Sequence, residues 1–241
     1  MPDSPDFSKY LPGSNRFSLQ DMGELAARLG SPCRFDRRGE VVWFDTCEFG
    51  MSPWAAGLSG AAASVRPHTY AASVSGYSIR LTPGSTVNYY AGISHYLTPE
   101  TVTRIGVEAT VAFTGVFPKF EINAHWNGQV YLDLATCIIN ATDGTLDIIN
   151  DAGAQVAIAT IPISFWAGTL HHTVKMVADY QTGYYARLLY DDLDFDVSTH
   201  KLYRRPVLNV QGLEINLQHY GSATFQHPCY IGHTIVTTNE P

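Results

Sequence analysis

Residues 169–197 read TLHHTVKMVADYQTGYYARLLYDDLDFDV, two long strands joined by a tight polar turn and followed by a third. Val174, Met176 and Ala178 fall on one face of the first strand, and Thr173, Lys175 and Val177 on the other, because successive strand side chains alternate. Asp179 to Gly183 supplies a turn whose glycine accepts a positive φ, and Tyr184 to Tyr190 resumes as a run rich in aromatics. A hairpin of this kind belongs to a β-sandwich.

Working outward, the same pattern recurs on both sides. Strands are expected at Glu40 to Phe44, Tyr77 to Leu81, Asn88 to Ile93, Ile105 to Phe113, Lys119 to His125, Gln129 to Ile139 and Thr145 to Ile149. They continue at Gln155 to Ile161, Leu170 to Ala178, Tyr184 to Asp191, Val207 to Tyr220 and Cys229 to Thr237. Asn127-Gly128, Asp143-Gly144 and Asp151-Ala152-Gly153 carry turn chemistry between them, and Gly57 to Ser64 reads as a surface loop. About a dozen strands imply an all-β fold of two packed antiparallel sheets, a jelly-roll sandwich over residues 40–241.

Residues 1–39 differ. Pro2, Pro5, Pro12 and Gly13 among Ser, Asp and Asn resist helix and strand, so residues 1–17 form an extended arm. Ser18 then caps one short amphipathic helix whose stripe is Leu19, Met22, Leu25, Ala26 and Leu29, closed by Gly30 and Pro32. Two uses fit this segment: the stripe covers an open end of the sandwich, or arm and helix together dock on a neighbouring subunit. In the second case Phe7, Tyr10, Leu11, Phe17, Leu19, Met22, Leu25 and Leu29 are the partner-binding residues.

The formal charge of −7 gives no global cationic field, and the basic clusters are Arg34, Arg37, Arg38 and Lys201, Arg204, Arg205, so nucleic-acid binding is not expected. No window approaches a membrane span and the N-terminus lacks a signal-peptide pattern. Charged residues make up 15% of the chain, below the roughly 25% usual in soluble domains, so part of the surface is expected to lie against partners. Cys33, Cys47, Cys137 and Cys229 have no metal-ligand spacing and read as reduced, apolar thiols.

The order of an apolar strand, ADYQTGYYARLLYDDLDFDV and a closing strand ending IVTTNEP resembles the concanavalin A-like, laminin-G-like jelly rolls over roughly Val41 to Thr238. A WHxVxxxVDxxTGxYxxLxxDxxxxDL pattern recurs in those domains; here the tryptophan is Trp166, with Gly-Thr-Leu inserted before His171 and His172. The wider layout, with FSLQDMGELAARLGSP and FDRRGEVVWFDTCEFG ahead of the sandwich, is similar to jelly-roll accessory virion proteins of bacteriophages and prophages. Such domains often hold a structural calcium on paired acidic residues of the first and last strands. Here Asp45 and Glu48 remain, but the last strand offers Gly232 and His233, which disfavours a cation that wants about six to eight oxygens.

No catalytic pattern is complete. Glycosidic cleavage needs two carboxylates about 5 to 9 Å apart, and the nearest candidates are Glu121 with His125, roughly 13 Å apart along a strand. Asp191, Asp192, Asp194 and Asp196 read as solvated turn carboxylates, and His171 and His172 face opposite ways, one buried and one exposed. Trp54, Tyr89, Tyr90, Trp126, Tyr184 and Tyr185 are the aromatics available for a sugar ring or a protein interface, although a sandwich core also needs such bodies.

The sequence therefore leads to a non-catalytic virion protein, a capsid decoration or cement that engages a capsid neighbour through its arm and assembles as a homo-oligomer, a trimer suiting a capsid position. The alternative is a carbohydrate-binding, lectin-like module for a cell-surface glycan, and the third reading is a glycoside hydrolase or polysaccharide lyase. No cofactor is expected.

Overall fold

Among the described residues, sixteen strands pair into two antiparallel sheets. The computed structural model describes residues 39–71, 76–86, 88–98, 103–128, 131–165, 171–206, 212–222, 224 and 226–241. The first sheet runs β13 (Leu193–Phe195), β12 (Tyr184–Tyr190), β11 (His172–Asp179), β6 (Arg104–Phe113), β16 (Cys229–Thr238), β4 (Ser78–Thr82) and β3 (Ser64–His68). β1 (Glu40–Asp45) also pairs β16, further along the edge that β4 uses. The second sheet runs β10 (Gln155–Thr160), β9 (Thr145–Ile149), β8 (Tyr131–Asn140), β7 (Lys119–Asn127), β15 (Gly212–Tyr220), β5 (Tyr90–Leu97) and β2 (Ala55–Leu58), with β14 (Tyr203–Pro206) on β8.

Period-two alternation decides which face each residue takes. Val174, Met176 and Ala178 of β11 join the core cluster, while Lys175 and Val177 lie on the outer face. Ile105, Val107, Ala109, Val111 and Phe113 of β6 meet Phe120, Ile122 and Ala124 of β7 across the sandwich, and Phe113 packs its ring 4.3 Å from that of Phe117. Gly183 closes the hairpin at φ 77°, its N–H donating to the Asp179 carbonyl at 2.8 Å, and Asp179 Oδ1 accepts from the N–H groups of Gln181 and Thr182 at 3.0 Å.

Two buried tyrosines tie the sheets together through their hydroxyls. Tyr185 OH donates to the Ile149 carbonyl at 2.7 Å and accepts from Thr136 N–H at 3.0 Å, and Tyr180 OH donates to the Ala124 carbonyl at 2.6 Å. Burial raises both phenols' pKa values far above their usual range.

The expected strands reappear within a few residues, with two differences. Residues 57–64 are not one loop: Ala55–Leu58 and Ser64–His68 are short edge strands, around a turn at Gly60. Tyr203–Pro206 adds a strand that its YRRP sequence hides, since a proline at an edge removes no ladder hydrogen bond. Among the described residues there is no helix; the arm and helix with Phe7, Tyr10, Leu11, Phe17, Leu19, Met22, Leu25 and Leu29, like Trp166, lie outside them. Cys47, Cys137 and Cys229 are buried and unpaired, and burial pushes the Cys47 thiol up to about 12.

Candidate functional site

Register turns the second sheet's outer face into rows of hydrogen-bonding side chains. β7 places Lys119, Glu121, Asn123, His125 and Asn127 on that face, because Phe120, Ile122, Ala124 and Trp126 fill the core. β15 opposes them with Tyr220, Gln218, Asn216 and Glu214 in turn. β5 continues the rows with Tyr90, Gly92, Ser94 and Tyr96, and β8 extends the other side with Ile138, Thr136 and Leu134.

Four rows follow. The middle one is Thr136, Asn123, Asn216 and Ser94, with Thr136 Oγ1 donating to Asn123 Oδ1 at 2.7 Å. Asn216 spends no side-chain hydrogen bond among the described residues, so its amide keeps both donor and acceptor capacity. On one side of it stand Asp147, Ile138, Glu121, Gln218, Gly92 and Gly57. On the other stand Leu134, His125, Glu214 and the exposed Tyr96, whose hydroxyl donates to Glu214 Oε2 at 2.7 Å. That bond, with the adjoining negative charge, pushes the Tyr96 phenol up to about 12. Desolvation depresses the His125 imidazole despite Glu214 and Glu121 nearby.

An aromatic rim closes one end of these rows. Tyr90 and Tyr220 lie 5.5 Å apart, and Lys119 Nζ sits 4.2 Å above the Tyr220 ring while pairing with Glu121 Oε1 at 2.7 Å. The Tyr220 hydroxyl is 3.1 Å from Glu121 Oε2 and 2.8 Å from Gln218 Oε1, so Glu121 is engaged from two directions. Beside the rim, the Gln218 side chain lies over Gly92 and the Tyr90 ring beside Gly57.

Glu121 and His125 share a face but stand four residues apart on β7, as their spacing implied. Glu214 lies four residues from Glu121's partner Gln218, roughly 13 Å along the strand, beyond glycosidase separations of about 5 to 9.5 Å. Asp147 stands in Glu121's row, two strands away, about 9.5 Å by strand spacing. Its Oδ2 is held by Gln155 Nε2 at 2.5 Å, and its side chain is buried, Oδ1 having no hydrogen-bond partner.

The expected aromatics separate by strand parity. Tyr90 alone joins this face; Tyr89 is exposed just before β5, and Tyr184 lies on the outer face of the first sheet under Lys201. Trp54, Trp126 and Tyr185 face inward and belong to the core cluster between the sheets, which removes them as stacking surfaces for a sugar or a partner. Asp45 does not suit a calcium site. Its Oδ1 accepts from Cys47 N–H at 3.0 Å and its Oδ2 from Trp54 Nε1 at 2.6 Å, while Glu48 faces solvent. His233 turns to Thr110 Oγ1 at 3.0 Å, and among the described residues no cluster of three or more His, Cys, Asp or Glu could hold a metal ion.

Asp191 does more than cap a turn. Its Oδ2 accepts from His172 Nδ1 at 2.7 Å and its Oδ1 from Thr173 N–H at 2.8 Å, which leaves Nε2 of the buried His172 as an acceptor. Ser164 N–H donates to that Nε2 at 2.8 Å. The histidine meets the serine through a backbone amide and not a hydroxyl, so the His172–Asp191 pair works as a strut. His171, partly buried, donates from Nε2 to the Ala71 carbonyl at 2.9 Å.

No protein-family model matches the chain, and no curated protein matches it by sequence. Solved structures do match by shape. A sialidase aligns at TM-score 0.54 and 9% identity over 84% of this chain, which spans 19% of the sialidase. A Bacillus subtilis protein of unknown function with a galectin-like fold aligns at 0.51 and 12% identity, covering 83% of this chain and 96% of that one. The Bacillus licheniformis β-glucanase aligns at 0.50 and 10% identity, covering 84% and 100%. Likeness at such identities is of fold: the chain is a jelly-roll sandwich of the galectin-like and concanavalin-like kind.

Proposed function

We propose that this chain is a non-catalytic carbohydrate-binding module that lays a sugar chain across the outer face of its second sheet. The observation that carries it is the side-by-side pair Asn123 and Asn216, which form the floor of the face at 5% and 8% exposure, flanked by Glu121 with Gln218 and by His125 with Glu214. Sugar hydroxyls both donate and accept, so amides and carboxylates in adjacent rows match them, while Tyr90, Tyr220 and Tyr96 offer ring faces and edges. A cleaving role is disfavoured because Glu121 is tied to Lys119 and Tyr220, and the other carboxylates stand too far off or are buried.

A glycan array followed by calorimetry on the best ligand tests this. Asn216→Ala and Tyr90→Ala are each expected to weaken binding about tenfold, the effect of roughly 1.4 kcal/mol; silence across a broad panel, or unchanged affinity in both variants, would overturn it. Release of reducing ends by the wild-type chain would make it an enzyme instead. A place on a virus particle, reached through residues 1–39, is a further proposal about where such a module acts; it rests on sequence alone, and deletion of residues 1–17 with loss of particle binding is its test.

A further inference from the structure

A second, independent patch lies on the outer face of the first sheet. Arg66 of β3 and Arg80 of β4 are direct cross-strand partners, and Tyr230 of β16 is the next residue in the same row. Two like charges directly opposite one another oppose strand pairing. Neither guanidinium pairs with a carboxylate among the described residues; Arg66 reaches only Ser64 Oγ, at 3.5 Å, and Arg80 Nε is buried with no hydrogen-bond partner.

The groups around them are donors too. The rings of His68, Tyr70 and Tyr230 stand against one another, with centroids 5.2 to 6.3 Å apart. Tyr70 N–H donates to His68 Nδ1 at 2.9 Å, which leaves the ring proton on Nε2 as a further donor. In a chain of net charge −7, a cluster holding two guanidiniums, an imidazole N–H and two phenols has no carboxylate paired to its arginines among the described residues.

We propose that this patch binds an oxyanion, a sulfate, phosphate or carboxylate carried by a ligand. The two guanidiniums supply the charge and terminal N–H donors that such groups match, and the tyrosines wall the site. The patch lies on the opposite side of the sandwich from the rows of the second sheet, and the proposal stands or falls separately from sugar binding there.

The test is titration of the full chain with sodium sulfate, phosphate or glucuronate against sodium chloride at equal ionic strength, following the arginine Nε–H signals by nuclear magnetic resonance. Thermal stabilisation is not the readout, because sulfate stabilises folded proteins without binding. A saturable shift of the Arg80 signal is expected, weakened about tenfold or more by Arg80→Gln and by Arg66→Ala as charge-assisted bonds are lost. Preference among the three anions names the group: sulfate or phosphate for a tetrahedral oxyanion, glucuronate for a carboxylate. If Arg80→Gln loses the wild-type backbone spectrum, the exposed Arg66→Ala variant decides. No saturable shift with any of the three, or unaltered affinity in the variants, overturns the proposal.

Discussion

Gln218 lies directly across from Gly92, and a Cβ placed on Gly92 would stand 2.9 Å from Gln218 Cγ and 2.9 Å from the Leu217 carbonyl oxygen. The side chain of Gln218 could swing away, but the carbonyl belongs to the ladder and cannot. Gly92→Ala is therefore expected to cost about 1–3 kcal/mol, as overpacking does, and to displace Gln218 from Tyr220. Urea unfolding reads the first effect and glycan calorimetry the second. An alanine variant with wild-type stability and affinity would show that this close approach matters to neither.

His219 makes the fold sensitive to acid. It is fully buried among Phe113, Phe117 and Phe120, its Nε2 donates to the His227 carbonyl at 2.7 Å, and its Nδ1 has no partner. Burial is the main cause that lowers its pKa from 6.5 to about 4. The unfolded chain then binds a proton that the folded chain refuses, so this contribution is fully present above pH 6.5 and is lost as pH falls toward 4. The loss amounts to roughly 3 kcal/mol across that window. In His219→Leu the stability measured by denaturant should depend less steeply on pH, by about one proton between pH 6.5 and 4; an unchanged slope would place the acid sensitivity elsewhere.

What could be read from the chain divides by the range of the interaction concerned. Strands such as Thr145–Ile149 emerge from local alternation and their turns, and Val174, Met176 and Ala178 reach the core because parity is local. AAGL at Ala55–Leu58 and SVRPH at Ser64–His68 carry little alternation, since an edge strand buries little, and neither shows as a strand in the sequence. The candidate site was hidden for another reason. Asn123 and Asn216 meet only through the register of β7 and β15, and Arg66 meets Arg80 only through that of β3 and β4. Each is an ordinary polar residue in its own segment. Parity also requires one of Tyr184 and Tyr185 to turn inward, but which one depends on the bulge between Val177 and Ala178.

Tyr185 turned inward, and its hydroxyl can be tested apart from its ring. Tyr185→Phe keeps the core body while leaving Thr136 N–H and the Ile149 carbonyl short of a partner inside the sandwich. A loss of about 1–3 kcal/mol is expected, with glycan affinity unchanged. Weakened glycan binding at full stability would instead return Tyr185 to a binding surface and contradict its burial.

Glu240 anchors the end of the chain to the first sheet. Its Oε1 pairs with Lys175 Nζ at 2.6 Å and accepts a short bond from Thr237 Oγ1, and its Oε2 pairs with Arg187 at 2.7 Å. The side chains of Lys175 and Glu240 are both fully shielded from solvent. Removing one member of a buried pair takes away a close counter-charge, so Glu240→Gln is expected to cost about 3 kcal/mol. Salt screens such a pair weakly, and the loss should persist in 1 M sodium chloride at about the same size. The comparison is Arg104→Ala: Arg104 pairs with Asp179 at 3.2 Å with its side chain 45% exposed, and an exposed pair contributes about 0–1 kcal/mol, less in high salt. Equal small losses in both variants would mean that Lys175 and Arg187 find sufficient partners without Glu240, and that the chain's end follows the sheet without holding it.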